Sequence, residues 1–530
     1  MMKQYQMEEL IFEGYPEAEN AAQADLEGIF THKDERVQVH GFYAGEGTYK
    51  IRFLPLHAGV YEYEIKGIIW EKGVLTAEPA EEGRHGILQP DGFQVKYSDG
   101  TRITPFGTTI YALPHQPEEL IEETFRTLGN APFNKVRLCV FPKHYQYSHN
   151  EPPFYPFHCR PDFSPEDTQA SGTDTVWDVK KPDPSFWDHL ETILCRLERM
   201  GIIADLILFH PYDRWGFSRL SREDSLVYLD YALRRLSAFP NLMWSLANEY
   251  DLVPGKSMED WYAFEEFVAA RDPYGHMLSN HNCFVLYDYG RKNITHVSVQ
   301  TRDPSRVRSL MKYGKPVFID ECAYEGNLEE TFGSLTGQEM TDRFWKVTVC
   351  GGFCTHGETF ADFDLENPEE DVVFWARGGS LKGESPSRIA YLRSFTESLP
   401  GPIEPDPGAG FAPMLYMTQA ELLHLANLVP EEHSAVVKAV ADMGEEEKLY
   451  HLTTESEYNG HVGTDVFIRY FGRDIHGQIT MNLPEDDAYT IEAVDTWNMT
   501  SEVIARGKKG ICKIRMPERQ WMAAVARREP

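Results

Sequence analysis

The sequence predicts an α/β protein: a (β/α)8 barrel over residues 91–400, flanked by small β-sandwich domains at 1–90 and 401–530. Three observations carry this expectation. Between about 91 and 400, β-branched apolar runs alternate with amphipathic helical stretches, the pattern that builds parallel sheets. On either side the hydrophobic period drops to two, the signature of half-buried antiparallel strands. No strand is followed by GxGxxG or a phosphate loop, which favours a barrel over a doubly wound open sheet.

The N-terminal strands are Val37–Tyr43, Thr48–Phe53 and Val60–Ile65, with Gly45, Gly47 and Gly59 as turns. The barrel opens with strand Ile103–Ile110 and helix Pro117–Leu128, whose acids cluster early as the helix dipole prefers. Strand Phe133–Phe141 precedes a polar, proline-rich insertion, Tyr145–Asp183. Helix Ser185–Met200 stops at Gly201, and strand Ile202–Phe209, helix Arg222–Phe239, strand Asn241–Ala247 and helix Ser257–Arg271 follow. Short strands are expected at Met277–Asn282 and His296–Gln300, a helix at Arg302–Tyr313 and a strand at Pro316–Asp320. Helix Gln338–Val349 and strand Gly352–Thr355 close the barrel, and Gly401–Gly408, rich in proline, is the linker. Beyond it, Leu449–Thr453, Thr464–Phe471, Tyr489–Asp495 and Cys512–Met516 read as strands of the second sandwich.

Composition narrows the function. Of 530 residues 42% are hydrophobic and 25% charged, enough apolar surface for large cores. Asp and Glu number 83 against 51 Lys and Arg, a net charge of −32. That field repels phosphate backbones and anionic lipid heads, so neither nucleic acid nor membrane is an expected partner, whereas neutral sugars are unopposed. No stretch approaches the ~18 apolar residues of a membrane span. Met1–Glu9 has no apolar core or small-residue cleavage site, and the expectation is a cytoplasmic protein. The eight cysteines form no CxxC pair, and Cys350/Cys354 is a lone CxxxC, so reduced thiols and no metal site are expected.

In a parallel barrel the reacting groups sit where strands end and strand-to-helix loops converge. Two glutamates stand at such ends: Glu249, after Trp244–Asn248, and Glu321, after Pro316–Asp320. A carboxylate directly after a very apolar run is either at the barrel mouth or badly buried. Paired carboxylates at a barrel mouth suit glycoside hydrolysis, one protonating the leaving oxygen and the other attacking the anomeric carbon. The plain alternative is that both are helix N-cap acids.

The ordered set of motifs resembles a known group. Asn248-Glu249 after strand four, with Glu321 after strand seven, resembles clan GH-A, the retaining TIM-barrel glycoside hydrolases. Phe93–Tyr111, Phe133–Pro142 and Phe374–Phe395 resemble its apiosidase-like branch, and Gly41–Tyr63 and Thr496–Thr500 resemble the sandwiches before and after such barrels. The resemblance implies a glycosidase needing no cofactor. Glu249 would be the general acid/base, with a pKa raised enough to hold its proton, and Glu321 the nucleophile. Arg137 would keep Glu321 ionised, Asn248 would bond the sugar 2-hydroxyl and His210 would face the substrate. The clan's tyrosine near strand six and tryptophan on strand eight are missing here, where His296–Gln300 and His356-Gly357-Glu358 stand instead. Trp215 or Trp375 is expected to supply the stacking platform, and His281, Gln300, His356 and Glu358 are candidate sugar contacts.

Two other classes use the same residues. His210, Asp213, His281, Asp320 and His356 could imitate a metal-dependent amidohydrolase, but that chemistry wants HxH after strand one, where Gly107–Tyr111 has no histidine. A catalytically inactive sugar-binding protein would require loss of one carboxylate, and both are present. The expected substrate is a small glycoside or oligosaccharide, cleaved by exo action with the Tyr145–Asp183 insertion walling off the pocket. A homo-oligomer is compatible with the sequence.

Overall fold

The computed structural model describes residues 2–169, 176–361, 372–406, 414–415, 417–454 and 458–530; part of the Tyr145–Asp183 insertion and the last two residues of the expected linker lie outside them. One sheet carries eight strands: β1 (Gly107–Thr109), β2 (Lys135–Cys139), β3 (Ile203–Phe209), β4 (Leu242–Ala247), β5 (Leu278–Ser279), β6 (Val297–Gln300), β7 (Val317–Glu321) and β8 (Phe353–His356). They are hydrogen-bonded in the order β5-β4-β3-β2-β1-β8-β7-β6. Every consecutive pair except β5/β6 shares a ladder, so the sheet is a nearly closed barrel. The pairs β1/β2, β2/β3, β3/β4, β4/β5 and β7/β8 are parallel.

Helices α1 (Glu118–Leu128), α2 (Pro184–Arg199), α3 (Arg222–Leu236) and α4 (Met258–Arg271) follow β1 to β4. The short α5 (Val307–Leu310), α6 (Gly337–Val349) and α7 (Ser385–Glu397) follow β6, β7 and β8. β3 and β4 are buried at every position, as strands covered on both faces must be. Helix starts are equally local. Asp183 accepts from the Ser185 N–H with Pro184 in the first turn, and Ser221 accepts from the Asp224 N–H.

The chain divides into two compact units: Met1–Asp91, Val95–Gln300 and Phe360–Leu381; and Gly92–Gln94, Thr301–Thr359 and Lys382–Pro530. In the first, a five-stranded and a three-stranded sheet face each other over one core, where Phe30 stacks on Phe53 at 4.0 Å. Arg52 of that sandwich donates to Glu191 of α2 at 2.6 and 2.8 Å, and Arg235 of α3 donates to the same carboxylate at 2.6 Å. Burial opposes ionisation of Glu191, but the two guanidiniums outweigh it and hold its pKa down at about 2.

In the second unit a six-stranded sheet and a two-stranded ribbon enclose Ile479, Met481, Tyr489, Ile491 and Ile514. Residues 419–454 correct the expected strand at Leu449–Thr453. Three helices occupy the region, Gln419–Ala426, Glu431–Asp442 and Glu445–Thr454. Its signals were the Thr418/Glu421 capping box and Pro430 before the second helix.

Two barrel elements are shorter than their apolar patterns. Strand β1 keeps three of the expected residues Ile103–Ile110. Pro105 has no N–H for a ladder, and the Phe106 N–H donates to the Asn134 side chain at 2.6 Å instead. The expected helix Arg302–Tyr313 is α-helical only at Val307–Leu310, between 3-10 turns that begin at Pro304 and end before Gly314 (φ 65°).

Candidate active site

Glu249 lies two residues beyond β4, 4% exposed, with a left-handed backbone (φ 52°). That conformation costs a non-glycine residue about 1–3 kcal/mol and persists where its surroundings enforce it. Glu249 precedes the 3-10 turn Tyr250–Leu252, yet its side chain makes no capping bond. Its Oε2 accepts instead from the Tyr212 hydroxyl. Helix capping therefore does not account for this carboxylate. The Glu249 N–H donates to Nδ1 of His281 at 3.4 Å. Tyr212 is held in turn: the Lys143 ammonium lies 4.3 Å from its ring centroid and 4.2 Å from that of Tyr111, and Tyr145 meets it edge-on at 5.1 Å.

Glu321 is the last residue of β7, also 4% exposed. Its Oε2 accepts from the Tyr324 hydroxyl at 3.1 Å, and Ala323 between them is left-handed (φ 72°). Asp320 faces away, its Oδ1 accepting from Thr355 Oγ1 at 3.0 Å. Neither tyrosine was picked out in the sequence. The resemblance places a tyrosine near strand six, whereas Tyr324 arrives on the loop after strand seven.

Of the other expected residues, Asn248, His210 and Arg137 are buried in the barrel wall and Gln300 is half-buried. The Asn248 N–H donates to the Phe209 carbonyl at 2.9 Å, and its buried Oδ1 accepts no hydrogen bond from the described residues. His210 donates from Nε2 to the Phe141 carbonyl at 3.0 Å. Burial pushes its pKa down to about 3, so the ring is neutral with its proton on Nε2. Arg137 pairs across the β2/β3 register with Asp205, donating at 2.8 Å, and the Lys135 ammonium joins the same oxygen at 2.7 Å. Gln300 ends β6, and its N–H donates to Asn282 Oδ1 at 3.3 Å.

Four expected substrate contacts, Trp215, Trp375, His356 and Glu358, are buried. Trp215 and Trp375 are 2% and 0% exposed. Their indole N–H groups donate to Glu151 at 3.0 Å and to Thr108 at 2.7 Å. A stacking platform needs an open ring face, and in this structure neither tryptophan presents one. His356 is 0% exposed and neutral, its pKa pushed down to about 3 by burial. Glu358 is spent on backbone: its oxygens accept the N–H groups of Lys382 at 2.5 Å and Gly383 at 3.0 Å.

Glu325, His356 and Glu358 offer ligand atoms within 4.8 Å of one another, a spacing a metal could use. The donor set argues otherwise. Glu325 accepts from the N–H of Glu384 at 2.6 Å and from the N–H and hydroxyl of Ser385 at 3.1 and 2.5 Å. All four carboxylate oxygens thus face donors of the turn that starts α7, where negative charge is favourable. Burial, with the Glu325 carboxylate adding to it, pushes Glu358 up to about 7.

The family described as apiosidase-like, catalytic domain, matches residues 160–400. Domains of unknown function match on either side, DUF5060 over residues 1–67 and DUF5605 over 456–526. A protein of Bacteroides vulgatus ATCC 8482, assigned to the glycoside hydrolases and solved at 1.80 Å, is 32% identical with a TM-score of 0.82; the match covers 100% of this chain and 99% of that one. A glycoside hydrolase family 5 structure from the same organism shares the fold (TM-score 0.58, 13% identity, 84% of this chain and 93% of that one). So does a structure described as a glycoside hydrolase (TM-score 0.57, 12% identity, 84% and 97%). No curated protein matches the chain. Barrel, flanking β-sheet domains and relatives together define a glycoside hydrolase, an enzyme acting on carbohydrate. The chain belongs to the glycoside hydrolases and carries an apiosidase-like catalytic domain over residues 160–400.

Proposed function

We propose that this chain is a retaining, exo-acting glycoside hydrolase of small glycosides or oligosaccharides, working by double displacement with Glu249 as acid/base and Glu321 as nucleophile. One observation carries the reading: each glutamate stands at the C-terminal end of a barrel strand, almost buried, with a tyrosine hydroxyl donating to Oε2. Glu321 would attack the anomeric carbon as Glu249 protonates the departing oxygen; Glu249 would then deprotonate the water that releases the sugar. Retention requires the carboxylates about 5–5.5 Å apart. The start of the insertion supports exo action, since Tyr145 packs on the same Tyr212 that binds Glu249.

The test is a panel of nitrophenyl glycosides, pyranosides and furanosides of both anomers, followed by proton NMR of the first-formed sugar. One glycoside is expected to be cleaved with its anomeric configuration retained. An inverted first product, or release only from the interior of longer chains, refutes the reading.

A further inference from the structure

Beyond β5 the chain presents an aromatic ring to solvent that the proposed chemistry does not use. Phe284 is 79% exposed and its neighbour Val285 60%, and Leu252, on the loop after β4, is 39% exposed. Exposed apolar side chains are unremarkable on a loop free to rearrange. This loop is pinned. The Asp251 carboxylate accepts three successive backbone N–H groups, from Cys283 at 2.7 Å, Phe284 at 2.7 Å and Val285 at 2.8 Å. The Tyr250 N–H donates to the His281 carbonyl at 2.9 Å, and its hydroxyl to the Leu286 carbonyl at 3.4 Å. Residues 281–286 are therefore laced to 249–251, the segment that carries the proposed acid.

Position and chemistry then select the occupant. The group that protonates the glycosidic oxygen faces the leaving half of the substrate, and the Tyr250 and Asp251 bonds tie this loop to the segment that carries it. A sugar there would call for side-chain hydroxyl, amide or charged partners. Phe284, Val285 and Leu252 offer none, and the Asp251 carboxylate already accepts from three backbone N–H groups. We propose that Phe284, with Val285 and Leu252, forms a rigid ledge for an apolar aglycone, so that the enzyme prefers glycosides with an aryl or alkyl leaving half. This rests on the assignment of Glu249 as acid/base. A ring fixed before binding loses little freedom on contact, so its gain goes into affinity.

The experiment compares methyl and 2-phenylethyl glycosides of whichever sugar the nitrophenyl panel identifies, since the two alcohols are leaving groups of similar basicity. Wild-type kcat/KM is expected to favour the phenylethyl glycoside about tenfold, through KM. Phe284→Ala should abolish that preference while leaving the methyl glycoside within about twofold, and Phe284→Trp should keep it. A preference unchanged in Phe284→Ala, or equal losses on both substrates, overturns the ledge and leaves the two-glutamate reading standing. So does a wild type that prefers a disaccharide over the phenylethyl glycoside. A wild type that cleaves no glycoside at all overturns both.

Discussion

The phenol of Tyr324 donates to Oε2 of Glu321 at 3.1 Å, three residues further along the same loop. The left-handed Ala323 makes the short turn that brings the two together. Tyr212 stands in the same relation to Glu249, but from the loop of a different strand.

Removing either hydroxyl should therefore release a carboxylate without altering charge. A hydrogen bond to a charged group is worth about 1.5–3 kcal/mol, so Tyr324→Phe and Tyr212→Phe should each lower kcat by roughly 10–100-fold. Steady-state kinetics on the best nitrophenyl glycoside, with circular dichroism to confirm folding, is the measurement. Unchanged kcat in both variants would remove the orienting role.

The two glutamates should fail differently. Glu321→Gln should abolish turnover on every substrate, because no nucleophile remains. Glu249→Ala should lose about 10²–10⁴-fold on poor leaving groups, less on activated ones, and regain activity in azide with a glycosyl azide as product. Full activity in either variant would contradict the assignment.

Asp205 should matter for stability. Its Oδ2 receives both Lys135 and Arg137, and all three side chains are at most 1% exposed. Taking away the anion breaks both buried ion pairs, and breaking such a pair costs about 3–5 kcal/mol. Asp205→Asn should lower the urea midpoint accordingly; a change under about 1 kcal/mol would show that other groups carry the balance.

Glu358 gives stability a specific pH dependence. Its pKa in the fold, about 7, lies above the ordinary glutamate value of 4.5, so between those values the folded chain binds more protons than the unfolded one. Its stabilising contribution is complete at the acid end and is lost as pH rises through about 7, some 3 kcal/mol at about 1.4 kcal/mol per pH unit. Unfolding free energies of wild type and Glu358→Gln at pH 5 and 8 check this. The wild type should lose more stability between them, and parallel losses would refute it.

Much of the barrel was legible because its signals are local. Residues 203–209 and 242–247 are continuous apolar runs, and the helices after them start at Ser221 and Ser257, whose side chains cap the first turn. Where a short polar cap or a proline interrupts the pattern, periodicity alone does not fix the element. Strand β1 lost its first half to Pro105, and 419–454 hid three helices behind an acidic composition.

By itself the sequence determined the order of strands and helices in the barrel and the sheet domains on either side, and it offered the two glutamates as candidates, since each depends on neighbours within a few positions. Only the tertiary structure decided which hydroxyl holds each carboxylate. It also sent Arg137 to Asp205, buried both candidate tryptophans and tied Glu358 to the turn before α7. Those outcomes depend on side chains from distant strands meeting where water is excluded. Most buried donors and acceptors must then find a partner, and one strand's residue types cannot say which partner another strand will bring.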